Sequence, residues 1–71
     1  MAPTRVTNSI RQLRFAQGEM TQQQLAEQVG VTRQTINAIE AGKYSPSLEV
    51  AFRMAEIFGV RVDEVFHYGR P

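Results

Sequence analysis

The sequence predicts an all-α domain built from five short helices. Three observations carry that reading. Apolar residues recur at helical spacing in each segment long enough to show a period. Gly18, Gly30, Gly42 and Gly59 each follow such a segment, where a helix would end. No stretch alternates apolar and polar residues for long enough to make a strand. Val60-Arg61-Val62 does alternate, but three residues are too few.

Seventy-one residues allow one domain, residues 1–71, and a chain of this length buries only ~60% of its unfolded surface. Stability is therefore modest unless a partner subunit adds burial. With 42% apolar and 21% charged residues the composition is that of a globular protein rather than a disordered one. The absence of cysteine removes disulfides and thiolate metal sites. No apolar run approaches the ~20 residues of a membrane span, and no signal-peptide core follows the N-terminus, so a cytoplasmic location is expected.

In chain order, residues 1–6 carry little to bury and read as a loose arm. Asn8 or Thr7 caps a first helix with Ile10 and Leu13 on its apolar face, Val6 being a further candidate, and Gly18 ends it. Met20 precedes the next cap and packs back as a hydrophobic staple. Thr21 to Gly42 is the stretch around which the chain is organised. Its second helix carries Leu25, Ala26 and Val29 on one stripe, and its third carries Ile36 and Ile39. Thr21 with Gln24 makes a capping box, and Thr32 caps the third helix, although Thr35 breaks the box there. Between the two helices, Gly30-Val31-Thr32 is too short for a loop with structure of its own. Gly30 accepts positive φ, Val31 fills the wedge, and a small Ala26 lets the helices cross closely. Two amphipathic helices joined by a three-residue turn containing glycine form the helix-turn-helix pattern. Ser47 then caps a fourth helix, with Glu49 in its first turn and apolar positions at Leu48, Ala51, Phe52, Met54, Ala55 and Phe58. A short fifth helix is expected over Val62 to Phe66, followed by a tail, residues 67–71.

The chain resembles the Cro/phage-repressor-like (Xre) helix-turn-helix DNA-binding proteins. The residues that carry the resemblance are Thr21-Gln22, Leu25-Ala26, Gly30-Val31, Thr32-Arg33, Thr35-Ile36, Ile39-Glu40, Gly42, Pro46 and Ala55, and it extends from Ile10 to Phe66. It implies a lambda-repressor-like domain with the helix-turn-helix as helices two and three. One departure stands out. Relatives usually cap the fifth helix with Ser, Thr or Asn, whereas Arg61 stands there, which makes that helix the least secure element.

With Ile36 and Ile39 facing the core, the opposite arc of the third helix holds Arg33, Gln34, Asn37 and Ala38. Arg, Gln and Asn can pair bidentately with base edges in the major groove. The resemblance places Arg33, Gln34 and Asn37 in base-contacting positions, with Ala38 a smaller residue than some relatives have. Gln22 opens the second helix, where its backbone N–H and side-chain amide can meet a phosphate. Thr32, Thr35 and Lys43 are weaker phosphate candidates. The resemblance also implies a structural ion pair between Arg14 and Glu40. The net charge of +1 is low for a nucleic-acid binder, so affinity must come from charge placement. Arg5, Arg11, Arg14, Arg33 and Lys43 precede the late acids Glu49, Glu56, Asp63 and Glu64.

An enzyme is not expected: His67 is the only histidine, and neither a phosphate loop nor a nucleophile elbow is present. No metal, cofactor or small-molecule effector is indicated. The expected function is transcriptional regulation, as a repressor on a palindromic operator in double-stranded DNA, bound as a homodimer. The dimer interface is expected in the C-terminal third, at Ile57 and Val62, apolar positions poorly placed for the monomer core, and at Phe66, His67 and Tyr68 after them. The rivals are an antitoxin-like regulator that also holds a partner protein, and a helical interaction module without DNA binding.

Overall fold

The structure, a computed structural model, describes residues 4–69. Its elements run β1 (Val6–Asn8), α1 (Ile10–Ala16), α2 (Gln22–Val29), α3 (Arg33–Glu40), α4 (Leu48–Phe58), α5 (Val62–Val65) and β2 (Phe66–Tyr68). The five expected helices are present. Among the described residues, none is long and apolar enough to cross a membrane.

Side-chain caps start the three longer helices. Thr21 Oγ1 accepts from Gln24 N at 3.0 Å while Gln24 Oε1 accepts from Thr21 N at 2.9 Å, closing the capping box of α2. Thr32 Oγ1 accepts from Thr35 N at 3.1 Å, and Ser47 Oγ from Val50 N at 3.2 Å. Gly30 ends α2 at φ 88°, a conformation that costs a residue with a Cβ but not glycine. At α5 the missing cap is replaced by half a box: Arg61 N donates to Glu64 Oε1 at 2.8 Å. The helix is confined to Val62–Val65, one residue short of the expected end at Phe66.

The apolar stripes converge on one core of Ile10, Met20, Leu25, Ala26, Val29, Ile36, Ile39, Met54, Ala55, Phe58 and Val65. Every helix contributes to it. Burial of this kind is the main favourable term in a small fold.

The carbonyl ends of three helices are met by side chains from elsewhere in the chain. Arg53 Nη1 donates to Val29 O at the end of α2 (3.0 Å), and Gln17 Nε2 to Phe58 O at the end of α4 (3.3 Å). Asn8 Nδ2 donates to Ile39 O and Glu40 O at the end of α3, at 3.1 and 3.3 Å. Terminal carbonyls have no partner within their own helix, so each such donor satisfies an otherwise unpaired group.

The structure differs from the sequence reading in three further places. First, the expected absence of strands does not hold. Val6, Thr7 and Asn8 pair antiparallel with Tyr68, His67 and Phe66. Part of the expected arm and tail thus closes a two-stranded sheet; residues 1–3 and 70–71 of those segments lie outside the described residues. His67 is accordingly held within a strand, its Nε2 3.1 Å from Ser9 Oγ. Second, Leu48 and Phe52 do not join the core: they are 76% and 57% exposed. Ala51, Met54, Ala55 and Phe58 fill the buried side of α4, and among the described residues nothing covers Leu48 or Phe52. Third, Ile57 and Val62, read as poorly placed for the core, pack half-buried against it, as does Phe66.

Candidate nucleic-acid interface

The α2–turn–α3 unit sets the geometry of the site. Leu25, Ala26, Val29, Ile36 and Ile39 are all buried, which pins both helices by one side and fixes the side each turns outward. Val31 N donates to Ala26 O at 3.0 Å, holding the turn against the end of α2.

Arg14 and Glu40 form a bidentate ion pair behind α3. Arg14 Nε donates to Glu40 Oε1 at 3.2 Å and Nη2 to Oε2 at 2.8 Å. Nη1 donates to Met20 O at 2.7 Å. The two side chains are 10% and 13% exposed, so the pair is largely withdrawn from water. A planar guanidinium engaged at three nitrogens permits little rotation of the helix that carries its partner. Asn8 adds the contacts to the α3 carbonyl end described above. The N-cap of α1 is Ser9 rather than the expected Asn8 or Thr7, and its side chain makes no cap bond. Asn8 Oδ1, one residue earlier, accepts from Ile10 N at 3.1 Å. Its amide therefore serves two helices, one with each end.

On the outward side, Arg33, Gln34 and Asn37 are exposed and Ala38 is half-buried. Together with Lys43 they line one shallow depression of about 320 Å³. Two further depressions adjoin it. One, about 570 Å³, is lined by Arg14, Thr21, Gln22, Gln23 and Arg33. The other, about 370 Å³, is lined by Asn8, Arg11, Gln12, Gln22, Asn37, Glu40 and Ala41. Gln22, Arg33 and Asn37 each line two of the three, so the depressions form one polar surface across the N-terminal ends of α2 and α3. Gln22 and Asn37 also meet directly: Asn37 Nδ2 donates to Gln22 Oε1 at 3.3 Å.

Among the described residues, neither Arg33 nor Lys43 makes an ion pair. The one carboxylate lining this surface, Glu40, is neutralised by Arg14. The face is therefore locally basic on a nearly neutral chain. Thr32 and Thr35 stand apart from these depressions. Their hydroxyls are 3.0 Å from each other, and that of Thr32 is committed to capping α3.

The sequence reading did not single out Asn8 as an anchor of α3, nor Arg11 and Gln12 as part of this face. Helical spacing on α1 could have grouped Arg11 with the buried-side Arg14, but nothing local says which side of α1 meets α2 and α3. Arg11 sits 5.6 Å from the centroid of the Phe15 ring, a cation–π contact that limits its wandering.

A helix-turn-helix family model matches residues 10–65. The chain is 55% identical over 49 residues to an uncharacterized HTH-type transcriptional regulator of Methanocaldococcus jannaschii, covering 69% of this chain and 74% of that one. It is 44% identical over 59 residues to the uncharacterized HTH-type transcriptional regulator YgzD of Bacillus subtilis, covering 83% and 88%. Its fold is similar to that of a candidate DNA-binding protein from Bacteroides fragilis. That crystal structure superposes with a TM-score of 0.75 at 29% identity, over 87% of this chain and 98% of that one.

Proposed function

The chain belongs to the helix-turn-helix family of DNA-binding transcriptional regulators, and from that premise we propose that it is a repressor that binds a palindromic operator as a homodimer. Each copy lays α3 in the major groove of double-stranded DNA. Arg33, Gln34 and Asn37 face base edges, Ala38 leaves room at the far end, and Gln22 and Lys43 meet phosphates. Thr32 and Thr35 are secondary phosphate partners at most, their hydroxyls being engaged at the cap. The action is binding rather than catalysis, and it takes place in the cytoplasm, where such an operator is accessible.

The observation that carries the proposal is the single polar depression in which Arg33, Gln34, Asn37 and Lys43 come together on the side of α3 opposite Ile36 and Ile39. Bidentate base readers and an unpaired cation occupy one concave face, as base readout combined with backbone attraction requires. Dimerism follows from the amount of DNA one copy can reach. A lone α3 reads one half-site, and two must stand ~34–36 Å apart to enter successive major grooves.

Selection of bound sequences from a random duplex library tests this directly. The expected outcome is a two-fold symmetric consensus with half-site centres 10–10.5 base pairs apart, or a multiple of that. An unenriched library, with no shift of random duplex at low salt, would leave only a protein-interaction module.

A further inference from the structure

We propose that Arg11 takes a DNA backbone phosphate at the α1 edge of the polar face, and that Phe15 is the residue that positions it. The inference rests on the operator-binding reading and adds to it a contact from a helix outside the helix-turn-helix. Asn37 lines both the depression that holds Lys43 and the one that holds Arg11. α3 is therefore flanked by a cation on each side, Lys43 just past its own end and Arg11 from α1. The major groove is bordered by phosphates on both sides, so a helix lying in it meets backbone charge along both flanks.

Arg11 is the one positively charged residue that lines its depression. Glu40, the carboxylate there, is already neutralised by Arg14. Among the described residues Arg11 makes no ion pair, and it is exposed. Its charge is therefore uncommitted, beside Gln22 and Asn37, on a surface assigned to DNA for other reasons.

What holds Arg11 in place is the ring of Phe15, one turn further along α1. The Arg11 guanidinium carbon lies 5.6 Å from the ring centroid, and that of Arg14 lies 5.8 Å from it. Arg14 is buried and bonded through three nitrogens, so it does not move. The ring is thus braced by a fixed guanidinium and offers its electron-rich face to a free one. Phe15 is itself 53% exposed, and it is not part of the core. A guanidinium over a ring keeps its five N–H donors, which lie in its own plane, available to phosphate oxygens. Setting a long flexible side chain in advance removes part of the ordering cost that binding otherwise carries.

Duplex binding by the full chain over a range of salt concentrations tests both roles, with Arg11→Gln, Phe15→Leu, their double variant and Arg61→Gln beside wild type. Arg61 is exposed and lines none of the three polar depressions, and its substitution makes the same change of net charge. All these are surface changes and should keep the wild-type urea midpoint. Arg11→Gln is expected to weaken operator and random duplex alike, about 8-fold per bound copy at ~0.1 M salt. It should also flatten the salt slope by ~0.9 per copy, the effect of one phosphate left without its cation. Arg61→Gln should bind as wild type does. Phe15→Leu should weaken binding roughly two- to fivefold per copy with the slope unchanged, because no charge is lost. On the Arg11→Gln background the same change should have no effect. An Arg11→Gln variant that matches Arg61→Gln in affinity and slope overturns the contact. A Phe15→Leu effect that persists without Arg11 overturns the positioning role, since the ring then acts through Arg14 alone. Wild type that shifts no duplex removes the operator reading and this contact together, whereas wild-type binding that Arg11→Gln leaves untouched removes this contact alone.

Discussion

α3 and α4 each bury one side and expose the other, yet they are held in place by different physics. α4 buries Ala51, Met54, Ala55 and Phe58, and its own ion pair, Glu49 with Arg53, lies in solvent. α3 buries only Ile36 and Ile39. The rest of its fixing is directional: the bidentate Arg14–Glu40 pair, the two bonds from Asn8 to its carbonyl end, and the Thr32 cap. Apolar burial is proportional to area and indifferent to small rotations. Hydrogen bonds lose strength within tens of degrees. On the proposed function α3 presents amide groups to base edges and needs the second kind of restraint, whereas a helix that supplies core volume is served by the first.

Substitutions that separate the two kinds of restraint test this contrast. The largest effect is expected for Glu40→Gln, which leaves Arg14 charged and half-paired in a largely buried place. Urea melting should show a loss of about 3 kcal/mol. Operator affinity should fall as well, because α3 loses its angular restraint. A loss well under ~1 kcal/mol would mean that the pair does not anchor the helix.

Met54→Ala should cost nearly as much, about 2–3 kcal/mol, by opening a cavity under α4. Here the affinity of the folded fraction for operator should stay within twofold of wild type. Equal affinity losses in these two variants would erase the distinction between directional and volumetric fixing. Gln34→Ala reverses the readout. Folding stability should stay within about 0.5 kcal/mol, as befits an exposed position. Discrimination between operator and single-base variants should fall by ~1–3 kcal/mol. Binding assays that show unchanged base preference would leave the reading to Arg33 and Asn37.

Asn8→Ala removes two hydrogen bonds from the end of α3 and one from the start of α1, in a half-exposed setting where water can substitute. A loss of about 1 kcal/mol by urea melting is expected. The smallest effect is expected for Glu49→Gln, at most ~0.5 kcal/mol, because its pair with Arg53 is exposed. A larger loss would show that this pair restrains Arg53 against Val29 O, making α4 more dependent on polar geometry than its packing suggests.

The helix-turn-helix was legible in the sequence because each of its determinants is local. The stripes of Leu25, Ala26, Val29, Ile36 and Ile39, the Thr21 and Thr32 caps and Gly30 all act within a turn or two of themselves. Once Ile36 and Ile39 are assigned inward, Arg33, Gln34 and Asn37 are necessarily outward. What the local pattern leaves open begins where a choice depends on distant chain. Three-residue strands have no period of their own to detect, and the pairing of Val6–Asn8 with Phe66–Tyr68 joins the two ends of the domain. α4 carries apolar residues on more than one side, at Leu48 and Phe52 as well as at Ala51, Met54, Ala55 and Phe58. Which side is covered depends on where the other helices stand, and here they stand over the second set. The same holds for Asn8, which meets the first amide of α1 through its local sequence and anchors α3 only because folding brings Ile39 and Glu40 within reach of its amide. Local periodicity and capping chemistry were sufficient to determine the helices and the outward polar arc of α3. The sheet, the anchors behind α3 and the uncovered side of α4 were decided by tertiary structure, because burial and hydrogen-bond partners supplied from far along the chain have no imprint on local spacing.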